Sequence, residues 1–214
     1  GDSASQQRDW RDDVARAVLH ERVARCAKQL GKMDKAMSNF EAATKLSPHD
    51  LPLAQASADL HFEREAWAVA GSAYEHVYAL GRTRFTASER AALCARMATC
   101  AERIGHSDAV LHFLEEAAGL EPHERSHLDA LLTLRMARQE WHEVVDLRRK
   151  QLGLISNKEE RAQLWDALGD ILRDQLDDSA EAVACYTKAL AAQPERRQTL
   201  YKMLDYYSIG KQWN

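Results

Sequence analysis

At 214 residues, with 29 Lys and Arg against 33 Asp and Glu, the chain carries a net charge of −4 and no general attraction for a phosphate backbone. No apolar run reaches the roughly 18 residues a membrane-spanning helix needs, and no signal peptide or amphipathic transit segment opens the chain. Only nine Gly and four Pro interrupt a sequence rich in Ala, Leu, Glu and Arg, which are strong helix formers, so an all-helical chain is expected.

Residues 1–10 are expected to be disordered or frayed, and the start at Gly1 rather than Met suggests processing or trimming. Val23, Ala24, Ala27 and Leu30 then form one apolar stripe ended by Gly31, and Ala36, Phe40, Ala43 and Leu46 form a second, stopped by Pro48. Pro52 falls in the first turn of the following helix, where its missing N–H costs nothing. Residues 81–90 contain six extra positions, and Thr86 with Glu89 has the spacing of a capping box at the next helix start. Residues 154–158 lengthen a second joint, with Ser156 and Glu159 as a further capping box. Pro122 and Pro194 repeat the place of Pro48, just past a helix end. Beyond them, Leu200, Met203, Leu204 and Tyr207 predict the stripe of one more helix. Trp213 matches Trp67 and Trp141 at the opening of its absent partner, so the natural chain is expected to continue.

These elements are copies of one another. Ala36, Ala70, Val110, Val144 and Ala182 recur at intervals of 34, 40, 34 and 38 residues. Each is followed four residues later by Phe40, Tyr74, Leu114, Arg148 or Tyr186, and three further on by Ala43, Val77, Ala117, Gln151 or Ala189. Such a period marks stacked helix hairpins, each burying its apolar face against its neighbours. Small residues at Ala24, Ala58, Ala98 and Gly169 let paired backbones approach, while Ala36, Ala70 and Ala182 accept an aromatic wedge. Phe40, Tyr74 and Tyr186, with Trp67, Trp141 and Trp165, are therefore read as core.

Trp165, Leu168, Gly169 and Leu172, followed by Ala182, Tyr186, Ala189 and Pro194, resemble the tetratricopeptide repeat signature, with Leu172 in place of the usual aromatic. Leu93, Met97, Ala98, Ala101, Gly105, Val110, Leu114, Ala117, Leu120 and Pro122 repeat it. The fourth copy fits worst, since Leu132 replaces the small residue and Arg148 the aromatic. The resemblance implies an α-solenoid of antiparallel helix hairpins stacked into a right-handed superhelix. It also implies a single array over residues 11–214, with repeats near 11–50, 51–86, 87–124, 125–156 and 157–196 and a partial one at 197–214.

Tetratricopeptide proteins are non-catalytic scaffolds whose first helices line a concave groove, so the resemblance implies a protein or peptide partner. The residues the apolar stripe leaves for that groove are Glu21, Arg25, Lys28, Gln55, Asp59, Phe62, Glu63, Thr99, Glu102, Arg103, Asp129, Thr133, Met136, Asp166, Asp170, Arg173, Asp174, Tyr201 and Asp205. Carboxylates outnumber cations among them, which favours a basic partner, although soluble helices also solvate their free faces with charge. Some family members hold an acidic chaperone tail through paired Lys and Asn. Here those positions carry Glu21 and Arg25, Gln55 and Asp59, or Asp129 and Thr133, so that ligand is not expected.

Other functions fit the residues less well. His123, Glu124, Arg125, Ser126 and His127 fit the H-E-x-x-H pattern of zinc hydrolases, but Pro122 puts the segment across a joint rather than on an established helix. No metal, cofactor or catalytic residue is therefore expected. RNA binding by hairpin repeats needs a cationic or aromatic face, which the acidic groove does not supply. Self-association through the open C-terminal repeat is the alternative to groove binding. Cys26, Cys94, Cys100 and Cys185 lack ligand spacing, which predicts reduced buried thiols and a cytoplasmic protein. Only nine of the 29 basic residues are Lys, a hint of a bacterial source.

Overall fold

The computed structural model describes the backbone of residues 2–209 and the side chains of residues 10–208. Trp213 and the helix it was read to open lie outside them. The chain divides into two compact units, 1–121 and 122–214. Unit 1 holds α1 (Asp2–Gln29), α2 (Met33–Leu46), α3 (Leu51–Glu63), α4 (Trp67–Gly81), α5 (Ala87–Arg103) and α6 (Ser107–Leu120). Unit 2 holds α7 (Arg125–Ala137), α8 (Trp141–Leu154), α9 (Lys158–Asp174), α10 (Ser179–Ala192) and α11 (Arg197–Ile209). Within each unit every helix packs against its neighbours in sequence, as antiparallel hairpins stacked in order. No strand occurs among the described residues, and none of their helices is long and apolar enough to cross a membrane. The fold is all-α. Helix α1 begins at Asp2, ahead of the residue-11 start read from the sequence.

The periodic positions form the core. Ala36, Ala70, Val144 and Ala182 are fully enclosed, as are Phe40, Tyr74 and Tyr186 four residues further on. The approach is close in the α9–α10 hairpin, where a Cβ added to Gly169 would lie 2.5 Å from the Tyr186 ring. In unit 1, Ala58, Ala70, Tyr74, Val77, Cys94 and Met97 share one cluster, against which Phe85 from the lengthened joint also packs. In unit 2, Ile155 does the same for the cluster around Leu168, Leu172 and Tyr186. The extra residues thus lengthen helices and seal the core, α5 and α9 having 17 residues where α3 and α7 have 13.

Turns inside the hairpins share one shape. Gly31, Glu65, Gly105 and Gln139 all take a left-handed backbone conformation, at φ of 70°, 58°, 78° and 58°. The N–H of the next residue bonds the carbonyl five positions back, as in Lys32 to Ala27 and Glu140 to Arg135, which satisfies carbonyls at the helix end. The α9–α10 turn is one residue longer, so its left-handed residue is Asp177 and the bond runs from Asp178 N–H to Leu172. Helix starts are capped as well. Thr86 and Glu89 form the full capping box. At α9, however, the cap is Asn157 rather than Ser156: its side chain accepts from the N–H groups of Glu159 and Glu160, and the helix starts one residue later.

Several sequence expectations need correction. Val23 and Leu30 are 42% and 71% exposed, while Ala17, Ala24 and Ala27 face the core. Val23 stands where Ser57, Met97 and Leu168 pack in their hairpins, but α1 is the first helix of its unit. Leu30, like the exposed Ile104, sits at the hairpin turn. Cys26 is exposed; Cys94, Cys100 and Cys185 are buried and free, with burial pushing the Cys94 thiol up to about 12. On α11 the buried residue is Thr199, with Met203 half-buried beside it, while Leu200, Leu204 and Tyr207 face outward. The expected stripe is displaced by one residue.

The wedge contact predicts opposite effects of one substitution at two glycines. Gly169→Ala should lower stability by about 1–3 kcal/mol through overpacking against Tyr186. Gly119→Ala on α6, where no atom lies within 4 Å of the added Cβ, should raise it by up to about 1 kcal/mol through helix propensity. Urea denaturation of both variants checks this, and equal signs would mean that the hairpin is not closed at Gly169.

Candidate functional site

Two arrangements of side chains stand on the first-helix faces. In unit 1, Asp59 on α3 accepts a hydrogen bond from Tyr74 Oη on α4 at 2.7 Å and one from Arg96 Nη1 on α5, which also donates to Tyr74 Oη at 2.7 Å. In unit 2, Asp170 on α9 accepts from Tyr186 Oη on α10 at 2.9 Å and from Lys202 Nζ on α11 at 2.7 Å. Asp59 and Asp170 follow the small residues Ala58 and Gly169 directly, so the same close approach that seats the ring brings its hydroxyl to the carboxylate. Burial and the neighbouring carboxylate both push the two tyrosine hydroxyls well above their ordinary range, so they remain donors.

Beside the unit 1 network lies a groove of about 610 Å³, formed by α1, α2, α3 and α5. Phe62 lies on its wall, edge-on to Trp67 at 5.2 Å between ring centres and beneath the Arg96 guanidinium at 5.9 Å. Lys28 spans from α1 to Glu63 on α3 at 2.7 Å, and Arg25 pairs with Glu21 at 2.6 Å. The groove therefore offers an aromatic wall between paired charges of both signs.

Residues 18–50 and 162–196 match the family model of the tetratricopeptide repeat. These two segments are tetratricopeptide repeats. Among solved structures, its fold is similar to that of MamA from Desulfovibrio magneticus RS-1, at 14% identity over 85% of this chain and 97% of that one, with a TM-score of 0.51. It is similar as well to YrrB, described as a TPR protein with an unusual peptide-binding site, at 13% identity over 87% and 91% of the two chains and a TM-score of 0.53. The N-terminal domain of stress-induced protein-1 from C. elegans matches over 57% of this chain and 97% of that one, at 15% identity and a TM-score of 0.50. No curated protein matches the chain.

Of the residues the sequence assigns to a groove, Arg25, Lys28, Asp59, Phe62 and Glu63 line the unit 1 groove, and Glu21 pairs with Arg25. Thr99, Glu102 and Arg103 do not. Thr99 bonds the backbone of Ala95 and Arg103 lies over Trp67 at 5.5 Å. In unit 2, Asp129 lines a separate recess, Arg173 pairs with Asp174 at 2.6 Å, and Thr133, Tyr201 and Asp205 are exposed. Asp166 is the clearest departure. Read as a solvent-facing carboxylate without core contacts, it is only 7% exposed and accepts from Thr199 Oγ1 at 2.7 Å and Lys202 Nζ at 2.9 Å, with Arg196 at 3.5 Å. Arg96, Lys202 and Arg148 are the residues the sequence reading missed. Their signal was a cation about one repeat length after Asp59 or Asp170, or in the wedge position itself.

The H-E-x-x-H segment is divided by the start of α7. His123 precedes the helix, Glu124 is its cap and accepts from the N–H and hydroxyl of Ser126, and His127 is half-buried in the first turn. Among the described residues no group of three or more His, Cys, Asp or Glu is placed to hold a metal ion.

Burial alone would raise the Asp166 carboxyl, but the bonds from Thr199 and Lys202 and the charge of Arg196 outweigh it and hold the group below the usual carboxylate range. A carboxyl lowered on folding contributes stability above its unfolded pKa and loses it as pH falls through the folded value. Asp166→Asn should therefore cost about 1–3 kcal/mol at neutral pH, with the gap to the unchanged protein closing as pH falls below about 4. Chemical denaturation across pH checks this; a constant gap would mean that Asp166 contributes packing and not charge.

Proposed function

We propose that this chain is a scaffold that binds a peptide segment of a partner protein in the unit 1 groove. The observation that carries the reading is the joint wall: Arg25 and Lys28 of α1, Asp59 and Phe62 of α3 and Arg96 of α5 converge on one opening although they come from three successive hairpins. Helices already packed into the stack lose little freedom on binding, so the ordering cost falls mainly on the peptide. Phe62 offers apolar area, and the paired charges around it offer hydrogen bonds to a peptide backbone or to polar side chains. A peptide-binding site is what the description of YrrB attributes to that fold relative, which supports the same use here.

A basic partner was expected from the excess of carboxylates, yet Asp59, Asp166 and Asp170 already face Arg96, Lys202 and Arg196. An internally paired carboxylate attracts a ligand less than a free one, and what field remains is screened by salt. We therefore favour a peptide of mixed character anchored by an apolar side chain at Phe62. Peptides selected from a random display library should lose affinity about tenfold or more on Phe62→Ala, as expected for a central anchor. Lys28→Glu should shift the selected sequences toward basic residues, and Glu75→Gln on α4 should change nothing. Calorimetry on variants with unchanged helicity reads this, and selected peptides insensitive to both groove changes would sink the proposal.

A second reading, self-association, is favoured by one observation: Leu200, Tyr201, Leu204 and Tyr207 stand exposed together on α11. A stable dimer buries roughly 800 Å² on each partner. Sedimentation equilibrium should then show dimers that Leu204→Glu converts to monomers, whereas a monomer at all concentrations would dismiss this reading.

A further inference from the structure

The wedge position of α8 breaks the pattern of its neighbours. Where α2, α4 and α10 place Phe40, Tyr74 and Tyr186, α8 places Arg148. Its half-buried guanidinium donates from Nη1 to Gln151 Oε1 at 3.1 Å, and its Nε is enclosed without an acceptor. Among the described residues no carboxylate stands within ion-pairing distance of it. Asp129 takes its hydrogen bond from Gln151 Nε2 and lies 4.0 Å from Arg125, and Glu160 is held by Arg125. Burial pulls the Arg148 pKa down, and the charge of Asp129 offsets this only in part. These groups, with Gln163, line a recess of about 270 Å³ between α7, α8 and α9.

We propose that this recess binds a single carboxylate group presented by a peptide, with Arg148 as its donor. A guanidinium carries five N–H donors in a planar fork suited to a carboxylate. With Nε enclosed and one Nη1 hydrogen committed to Gln151, the second Nη1 hydrogen and the two of Nη2 are the donors left for an incoming acceptor. A carboxylate there would replace the water that burial has removed from the charge, at a point where the other hairpins have no charge to satisfy. Asp129 and Glu160 on the same wall set the limit, because they repel a second negative charge, and so the recess suits a monoanion better than a phosphate. An acidic side chain and a free C-terminus offer the same group. This site lies in unit 2 and does not depend on the unit 1 groove.

The test follows the Arg148 Nε–H resonance in isotope-labelled protein during titration with four probes. N-acetyl-aspartate amide presents a side-chain carboxylate, N-acetyl-glycylglycine a C-terminal one, N-acetyl-asparagine amide neither, and inorganic phosphate a dianion. A carboxylate probe should shift the resonance saturably, the neutral amide should not, and phosphate should bind more weakly; the tighter of the two carboxylate probes identifies the source. Binding of that probe, followed on backbone amides of α7 to α9, should weaken about tenfold or more in Arg148→Gln, the loss expected for a charge-assisted hydrogen bond. Equal response to the amide probe, tighter binding of phosphate, unchanged affinity in Arg148→Gln or no saturation by either carboxylate would each overturn the proposal. The contrast among probes on the unaltered protein decides the matter if the variant does not fold.

Discussion

Three hairpins of this chain rest on the approach of two helices close enough for an aromatic ring of one, Phe40, Tyr74 or Tyr186, to sit against a residue of the other that has little or no side chain. Gly169 under Tyr186 is one instance, and Ala58 with Tyr74 belongs to the same pattern. Packed interiors have no slack for an added methyl group at such a point. The hairpin made in this way is apolar on two sides, which is why it is stable only in a stack. The polar groups follow from the same contact. A tyrosine ring inserted at that depth delivers its hydroxyl to Asp59 or Asp170, and the cation that completes each network comes from the next hairpin. One steric fit thereby sets both the core of a hairpin and the polar link to its successor.

That dependence explains what could be read in the sequence. The paired helices, the small positions, the Phe40, Tyr74 and Tyr186 wedges, the prolines at helix ends and the Thr86 cap were all legible, because each is decided by neighbours within about one repeat, whereas Trp67, Trp141 and Trp165, read as core, are only half-buried. Exposure on α1 was not. Val23 has the character of a core residue and lacks only a helix to cover it, which is a property of its place in the unit. The rotation of α11 was misread for a different reason. Counting apolar residues favours Leu200 and Leu204, yet burying Thr199 against Asp166 and bringing Lys202 to two carboxylates satisfies a buried charge that would otherwise be costly. Polar partners 32 to 36 residues apart leave no periodic trace.

The candidate sites were legible in the same uneven way. Arg25, Lys28, Asp59, Phe62 and Glu63, all on first-helix faces, line one groove. The electrostatic character did not follow from a count of charges, because the counter-charges Arg96 and Lys202 lie on neighbouring hairpins in positions the apolar stripe does not define. A surface that reads as acidic along the chain is, in space, largely a set of completed pairs. Arg148 is the reverse case: a residue that weakens the repeat pattern in sequence turns out to be the cation with least compensation in its unit's recess.

The 17-residue length of α5 and α9 carries one more consequence. Their four residues beyond the 13 of α3 and α7 amount to about one helical turn, an advance of about 6 Å along the axis with little net rotation. A chain extended in this way meets the preceding joint from nearly the same angular direction as before, so the faces that pack are undisturbed. Extensions of two residues would instead swing the joint to the far side of the helix. Length variation in such an array is thus expected to come in whole turns, which lets one edge of a hairpin be raised as a ledge while its contacts stay in register.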